Sequence, residues 1–163
     1  MNKVRKLDKD GLLLCDLQAK TFEAAVDMAS ISSEIFIRRF MNSKIVKSMD
    51  DISILQRNVH EKDILEMVEE EYGKLKYGSV KYSRNEMFWI GYIYRYFSYA
   101  YRLSSIQVYK IIKPKELRGL FLPYHTMDSA QAVERILESK GMLNDSEAEL
   151  KRQFEIYKRI RND

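Results

Sequence analysis

The side chains that most often bind metals or carry catalysis are few in this chain and widely spaced. Among its 163 residues are two histidines, His60 and His125, and one cysteine, Cys15. Zinc sites need clusters such as H-E-x-x-H or C-x-x-C, and neither pattern occurs. Glycine-rich phosphate loops and the G-x-S-x-G nucleophile elbow do not occur either. We therefore expect no metal site, no cofactor and no enzymatic activity.

Arg118 and His125 form the one candidate catalytic pair, separated by six residues. Helical ribonuclease domains carry a similar R-x4-6-H motif, in which the arginine binds phosphate and the histidine assists proton transfer. Both residues must then project from one helical segment, and Pro123 is expected to end the helix before His125. Ribonuclease activity is therefore the least favoured function. We expect His125 to cap a turn and Arg118 to form a surface ion pair.

The segment 103–120 also fits a helix-turn-helix, the arrangement that places a helix in the major groove of DNA. Lys113, Lys115 and Arg118 would then be the DNA-contacting residues. The net charge of +4 permits such a partner without requiring one. Because Leu117 on the second helix is apolar, two ordinary packed helices fit the same pattern. A DNA-binding regulator of its own operon is thus the alternative function.

A run of glutamates makes one predicted helix strongly acidic. Glu66, Glu69, Glu70 and Glu71 fall within six positions of each other. Such runs usually form a solvated helix face. They also provide a surface that is complementary to a basic partner.

The overall composition indicates which elements must position these residues. Hydrophobic residues make up 45% and charged residues 32%, which is typical of a globular protein, and there are only six glycines and two prolines. Because helix interiors tolerate neither glycine nor proline well, a mostly helical chain is favoured. The apolar stretch 87–101 is shorter than the roughly 20 residues that a membrane span needs. We expect no export signal and a cytoplasmic location.

The helical periodicity predicts an all-α, single-domain bundle of about seven to eight helices over residues 1–163, with residues 1–9 as a candidate flexible tail. Its central helix is expected at 83–103, because an aromatic-rich run follows the capping box Ser83 and Glu86. The predicted helices cover 10–29, 32–49 with a break near Asn42 and Ser43, 61–73, 83–103, 104–112, 115–122, 128–141 and 146–161.

Three stretches of this sequence resemble a known family. They are SSEIFIRRFMNS at residues 32–43, WIGYIYRY at 89–96, and VYKII at 108–112 with LPYHT at 122–126. They are similar to small bacterial proteins identified as antitoxins, whose genes lie beside those of ADP-ribosyltransferase-like toxins. The resemblance implies a non-enzymatic protein that binds its cognate toxin and blocks the toxin's substrate cleft. A homo-oligomer is compatible with it.

Two surfaces are candidates for binding that partner. One is the acidic face with Glu66, Glu69 and Glu70, which suits a basic nucleotide-binding cleft. The other is an exposed strip on the central helix, because tyrosine and arginine are favoured at interface hot spots. That strip consists of Tyr92, Arg95, Tyr99 and Arg102. In the alternative arrangement, the two tyrosines are core residues and the arginine bridges elements within the bundle.

Overall fold

The computed structural model describes residues 4–142, 155, 156 and 159. Over these residues the chain forms nine α-helices and one 3-10 helix, with no strand among them. The all-α prediction is therefore confirmed, and the predicted helix at 146–161 lies outside the described residues except at three positions. In chain order the elements are α1 (Lys9–Met28), α2 (Ser33–Met41), α3 (Lys44–Asp50), the 3-10 helix (Ser53–Gln56), α4 (Glu61–Tyr72), α5 (Arg84–Tyr101), α6 (Ser105–Ile111), α7 (Pro114–Gly119), α8 (Phe121–Tyr124) and α9 (Ser129–Ser139).

Helix α5 is the centre of the bundle, as predicted. Apolar residues occupy all of its faces, and a helix of that kind is stable only when other helices surround it. It contacts α1 most extensively and also touches α6, α7, α8 and α9. Its buried side chains include Ile90, Tyr94 and Phe97, each wholly inaccessible to solvent. The hydroxyl of Tyr94 donates a hydrogen bond of 2.6 Å to the carbonyl of Ile112, which satisfies its polar end.

Helices α1 and α5 approach each other closely at Gly91. A Cβ atom at this position would lie 2.8 Å from Cγ of Phe22 and 2.9 Å from the carbonyl oxygen of Gln18. The absence of a side chain therefore sets the distance between these helices. Phe22 in turn packs edge to face against Phe36 and Phe40 at centroid distances of 5.5 and 5.0 Å. The contact at Gly91 thus connects the central helix to the aromatic cluster.

We expect Gly91→Ala to lower the free energy of unfolding by about 1–3 kcal/mol, the usual cost of overpacking a core. The matched control is Gly119→Ala, because no atom lies within 4 Å of a Cβ built there. Alanine is the better helix former, so the control should retain or slightly increase stability. Urea denaturation measures both changes. Equal stability of the two variants would show that Gly91 does not limit the helix spacing.

Local capping signals explain most helix boundaries. The side chain of Ser83 accepts from the backbone N–H of Glu86, whose carboxylate accepts from the N–H of Ser83, so the predicted capping box is confirmed. The break between α2 and α3 also lies at Asn42 and Ser43 as predicted, where Ser43 caps α3. Helix α1 begins slightly earlier than predicted, because Asp8 is its N-cap and accepts from the N–H of Gly11.

One boundary prediction is wrong. Pro123 does not stop a helix: α7 ends at Gly119, and the four-residue helix α8 contains Pro123. Proline is tolerated there because it lies in the first turn of α8, where the backbone N–H has no partner within the helix. Within residues 1–9, the segment predicted as a candidate flexible tail, the N–H of Arg5 donates to the carbonyl of Ala100 at 2.7 Å. Its guanidinium lies 3.9 Å from the ring centroid of Tyr99.

One buried thiol and two buried tyrosine hydroxyls keep their protons to unusually high pH. Burial raises the pKa of the Cys15 thiol and of the Tyr101 hydroxyl to about 12, and it raises that of Tyr94 well above 10. In the unfolded chain these groups ionise near their ordinary values. A group with a raised folded pKa stabilises the fold fully below its unfolded pKa, and that stability is lost as the pH rises toward the folded value.

The free energy of unfolding should therefore fall between about pH 9 and about pH 12, the interval between the unfolded and folded pKa values of these groups. Urea denaturation at a series of pH values measures this loss. The Tyr94→Phe variant, which lacks one of the buried hydroxyls, should lose less stability over the same interval. A urea denaturation midpoint that does not change with pH over this interval would contradict the assignment of these groups as buried and protonated.

Candidate partner-binding surface

A linker over residues 74–82 connects α4 to α5 and crosses the start of α2. The backbone N–H of Ser32 donates to the carbonyl of Tyr77, and that of Ser33 donates to the carbonyl of Val80, each at 3.0 Å. The hydroxyl of Ser33 also accepts from the N–H of Tyr82 at 2.8 Å. These three hydrogen bonds fix the linker against the beginning of α2.

The linker presents large apolar side chains to solvent. Leu75 is 52% exposed, Tyr77 68% and Val80 60%. The close crossing depends on Gly78, which has a φ of 76° and whose Cβ would lie 2.8 Å from that of Ser32. Apolar side chains held outward on a fixed backbone are typical of a surface that a partner covers. The sequence showed only weak alternation here and did not identify this segment as a candidate site.

An open groove lies between the end of α1, α4 and the beginning of the linker, with a volume of about 190 Å³. We name it the α1–α4 groove. Met28 and Leu75, at 49% and 52% exposure, are its most accessible apolar residues. An apolar floor with a charged margin is the usual anatomy of a protein interface. The α1–α4 groove is also lined by Phe36, Arg39, Lys62, Leu65, Glu66, Val68, Glu69 and Lys74.

The structure divides the acidic run of α4 between two places. Glu66 and Glu69 line the α1–α4 groove. Glu70 lies with Glu71 in a separate depression. There a carboxylate oxygen of Glu71 accepts from the backbone N–H of Lys44 at 2.8 Å, which satisfies the first turn of α3. The predicted acidic surface is therefore two surfaces, of which only the first adjoins exposed apolar residues.

The expected exposed strip on the central helix is wrong. Arg95 is only 1% exposed and Tyr99 5%, while Tyr92 is half-buried and Arg102 is exposed at the C-cap of α5. The prediction is wrong because surrounding helices cover α5 on nearly all sides. Residues one turn apart on α5 therefore do not share a solvent-exposed face. The alternative, in which the arginine bridges elements within the bundle, is what the structure shows.

Arg95 is the hub of a buried polar network that joins four helices. Its Nε donates to Oε1 of Gln18 at 2.8 Å, and its Nη1 donates to Oδ1 of Asp50 at 2.8 Å and to Oγ of Ser98 at 3.1 Å. Its Nη2 donates to Oγ of Ser105 at 2.6 Å. Asp50 also accepts from the N–H and the hydroxyl of Ser105. The buried charge is therefore paired and hydrogen-bonded, as burial of an ion requires.

Arg118 and His125 have different partners. Nε of Arg118 donates to a carboxylate oxygen of Glu86 at 3.1 Å, and its guanidinium lies 4.2 Å from the ring centroid of Tyr82. The Nδ1 atom of His125 lies 2.8 Å from the carbonyl oxygen of Phe121. The imidazole ring of His125 stacks on the phenyl ring of Phe121, with a centroid distance of 4.4 Å. The ion pair expected for Arg118 and the local turn contact expected for His125 are both present. These contacts do not bring the two side chains to a common site.

The helix-turn-helix residues are only partly brought together. Helix α7 has six residues, and Leu117 at its middle is buried, so little of it is available to enter a DNA groove. Lys113 and Lys115 line one groove, whereas Arg118 is paired with Glu86. This separation weakens the expected DNA-reading surface.

Among the described residues, no three His, Cys, Asp or Glu side chains are grouped closely enough to hold a metal ion. Over the same part of the chain, no helix is both long enough and apolar enough to cross a membrane. Comparison of the whole chain with family models, curated proteins and solved structures identified no match.

Proposed function

We propose that this protein is an antitoxin that neutralises a cognate toxin, of the ADP-ribosyltransferase-like kind, by binding it in the cytoplasm. The α1–α4 groove is the observation that carries this proposal. It combines exposed apolar side chains, Met28 and Leu75, with the carboxylates Glu66 and Glu69. The sequence resemblance to antitoxins supplies the class of partner, and the groove supplies a surface of suitable chemistry.

The two kinds of side chain have different roles in this proposal. Burial of apolar area supplies most of the favourable free energy, at about 25 cal/mol per Å² removed from water. The carboxylates supply specificity and faster association, because a cleft that binds phosphate groups is positively charged. The margin of the groove also holds Arg39, Lys62 and Lys74, so we assign the contact with a basic cleft to Glu66 and Glu69 alone.

Co-expression with the toxin encoded by the adjacent gene tests the proposal. The wild-type protein should restore growth and elute with the toxin in gel filtration. We expect Leu75→Asp to abolish rescue, because it introduces an unpaired charge where the interface would be apolar. Leu75 is exposed, so the substitution leaves the fold intact.

The matched control is Leu122→Asp, which changes an apolar residue that is 79% exposed and lies outside the groove. This variant should rescue growth as well as the wild type does. The proposal fails if the wild-type protein neither rescues growth nor forms a complex. Equal rescue by both aspartate variants would instead exclude the α1–α4 groove as the toxin-binding surface.

A further inference from the structure

A second groove lies between α2, the later part of the linker and the start of α7, with a volume of about 520 Å³. We name it the α2–α7 groove. It shares no lining residue with the α1–α4 groove, so its function can be tested separately. Three cationic side chains, two tyrosines and one carboxylate line it. They are Arg38, Lys113, Lys115, Tyr77, Tyr109 and Glu34.

The charge of the α2–α7 groove is predominantly positive. Arg38 and Lys115 are exposed on α2 and α7. The ammonium of Lys113 lies 4.2 Å from the ring centroid of Tyr109, a cation–π contact that holds this charge at the groove. Among the described residues that line the groove, Glu34 has the only carboxylate, which accepts a hydrogen bond of 2.8 Å from the hydroxyl of Tyr82. The groove is thus suited to a ligand with several negative charges.

Tyr77 adds an aromatic surface to these charges. Tyr77 as a whole is 68% exposed, although its backbone carbonyl accepts a hydrogen bond from the N–H of Ser32. A tyrosine held toward solvent at the edge of a basic groove can stack on a planar group. Cationic grooves with exposed aromatic rings are the usual sites for single-stranded nucleic acid, in which phosphates track the charges and unpaired bases stack on the rings.

We propose that the α2–α7 groove binds single-stranded nucleic acid. Double-stranded DNA fits less well, because α7 is only six residues long and its Arg118 is paired with Glu86 rather than exposed in the groove. An acidic peptide would satisfy the cations but would leave the exposed ring of Tyr77 without a stacking partner. The observations therefore favour a ligand that carries both phosphates and unpaired bases.

Fluorescence anisotropy tests this assignment. The labelled probes are two oligonucleotides of about 12 nucleotides, poly(U) RNA and poly(dT) DNA. Each is titrated with the full chain at several salt concentrations. The wild-type protein should bind both, with affinity that falls steeply as salt rises. Arg38→Gln with Lys115→Gln should weaken binding at least about 10-fold and reduce the log–log salt slope by about 1.4, since about 0.7 is lost per phosphate contact. Tyr77→Ala should weaken binding about 10-fold without changing the slope, and Tyr77→Phe should retain it.

The matched control is Lys9→Gln with Lys47→Gln, which removes two exposed charges outside the groove. It should bind nearly as well as the wild type. Absence of binding at low salt would overturn the proposal, as would equal losses in the control and groove variants. Equally tight, Tyr77-independent binding of duplex DNA would assign the groove to a duplex instead. Displacement of the oligonucleotide by polyglutamate of equal charge, at equal concentration, would assign the groove to an acidic peptide.

Discussion

Replacing Arg95 by methionine should lower the free energy of unfolding by about 3–5 kcal/mol, the cost of removing one partner from a buried ion pair. Methionine fills much of the same volume, so a cavity contributes little to the expected loss. The loss arises because the carboxylate of Asp50 and the amide of Gln18 would remain largely buried without their cationic donor. The hydroxyls of Ser98 and Ser105 would also each lose a donor.

A double-mutant cycle in urea denaturation measures this effect. Asp50→Ala should also destabilise strongly, because it leaves a buried guanidinium without its counter-charge. The double variant Arg95→Met with Asp50→Ala should be markedly more stable than the sum of the two losses predicts. Lys20→Met is the control, since Lys20 pairs with Asp16 on an exposed face of α1 and should change stability little. Additive losses would show that Arg95 and Asp50 are not energetically coupled.

Reversing the charge of Glu66 and Glu69 together, with Glu66→Lys and Glu69→Lys, should weaken binding to the cognate toxin by at least about 100-fold. Two favourable contacts with a basic cleft would become repulsive, and like charges brought together at an interface cost several kcal/mol. A loss of 1.4 kcal/mol corresponds to a tenfold change in affinity. Glu66 is exposed and Glu69 is half-buried at the margin of the groove, so neither is a core residue and the fold should tolerate the change.

Calorimetric titration of the toxin gives the dissociation constant for each variant. The matched control is Glu134→Lys with Glu138→Lys, which reverses two exposed charges on α9 and alters the net charge equally. The variant with Glu66→Lys and Glu69→Lys should lose more affinity for the toxin than the control, because both variants change the net charge equally. The wild-type complex should also weaken as salt rises, because exposed charges are screened. Equal losses in both variants would assign the effect to net charge instead of the groove.

The features that the sequence predicted correctly are those governed by neighbouring residues. The capping box at Ser83 and Glu86 and the break at Asn42 and Ser43 depend on side chains that bond to backbone within three or four positions. The central position of α5 follows from apolar residues on all its faces, a property of one segment. These signals require no knowledge of the tertiary structure.

The features that sequence reasoning missed depend on contacts between distant segments. Asp50, the counter-ion of Arg95, is 45 residues away in the chain, and nothing in either local pattern indicates the pairing. The pattern of tyrosines and arginines on α5 therefore suggested an exposed strip where the structure has a buried network. Residues 74–82 likewise line part of each groove, and they hydrogen-bond to Ser32 and Ser33 at the start of α2, far earlier in the chain.

Hydrogen exchange of the protein with and without its cognate toxin tests the central claim most directly, because it locates the binding surface without any substitution. If the α1–α4 groove binds the toxin, backbone amides of α4 and of residues 73–76 should exchange more slowly in the complex. Amides of α9, which does not line the groove, should be unaffected. A stable complex in which exchange of α4 and residues 73–76 is unchanged would contradict the account, as would the absence of any complex.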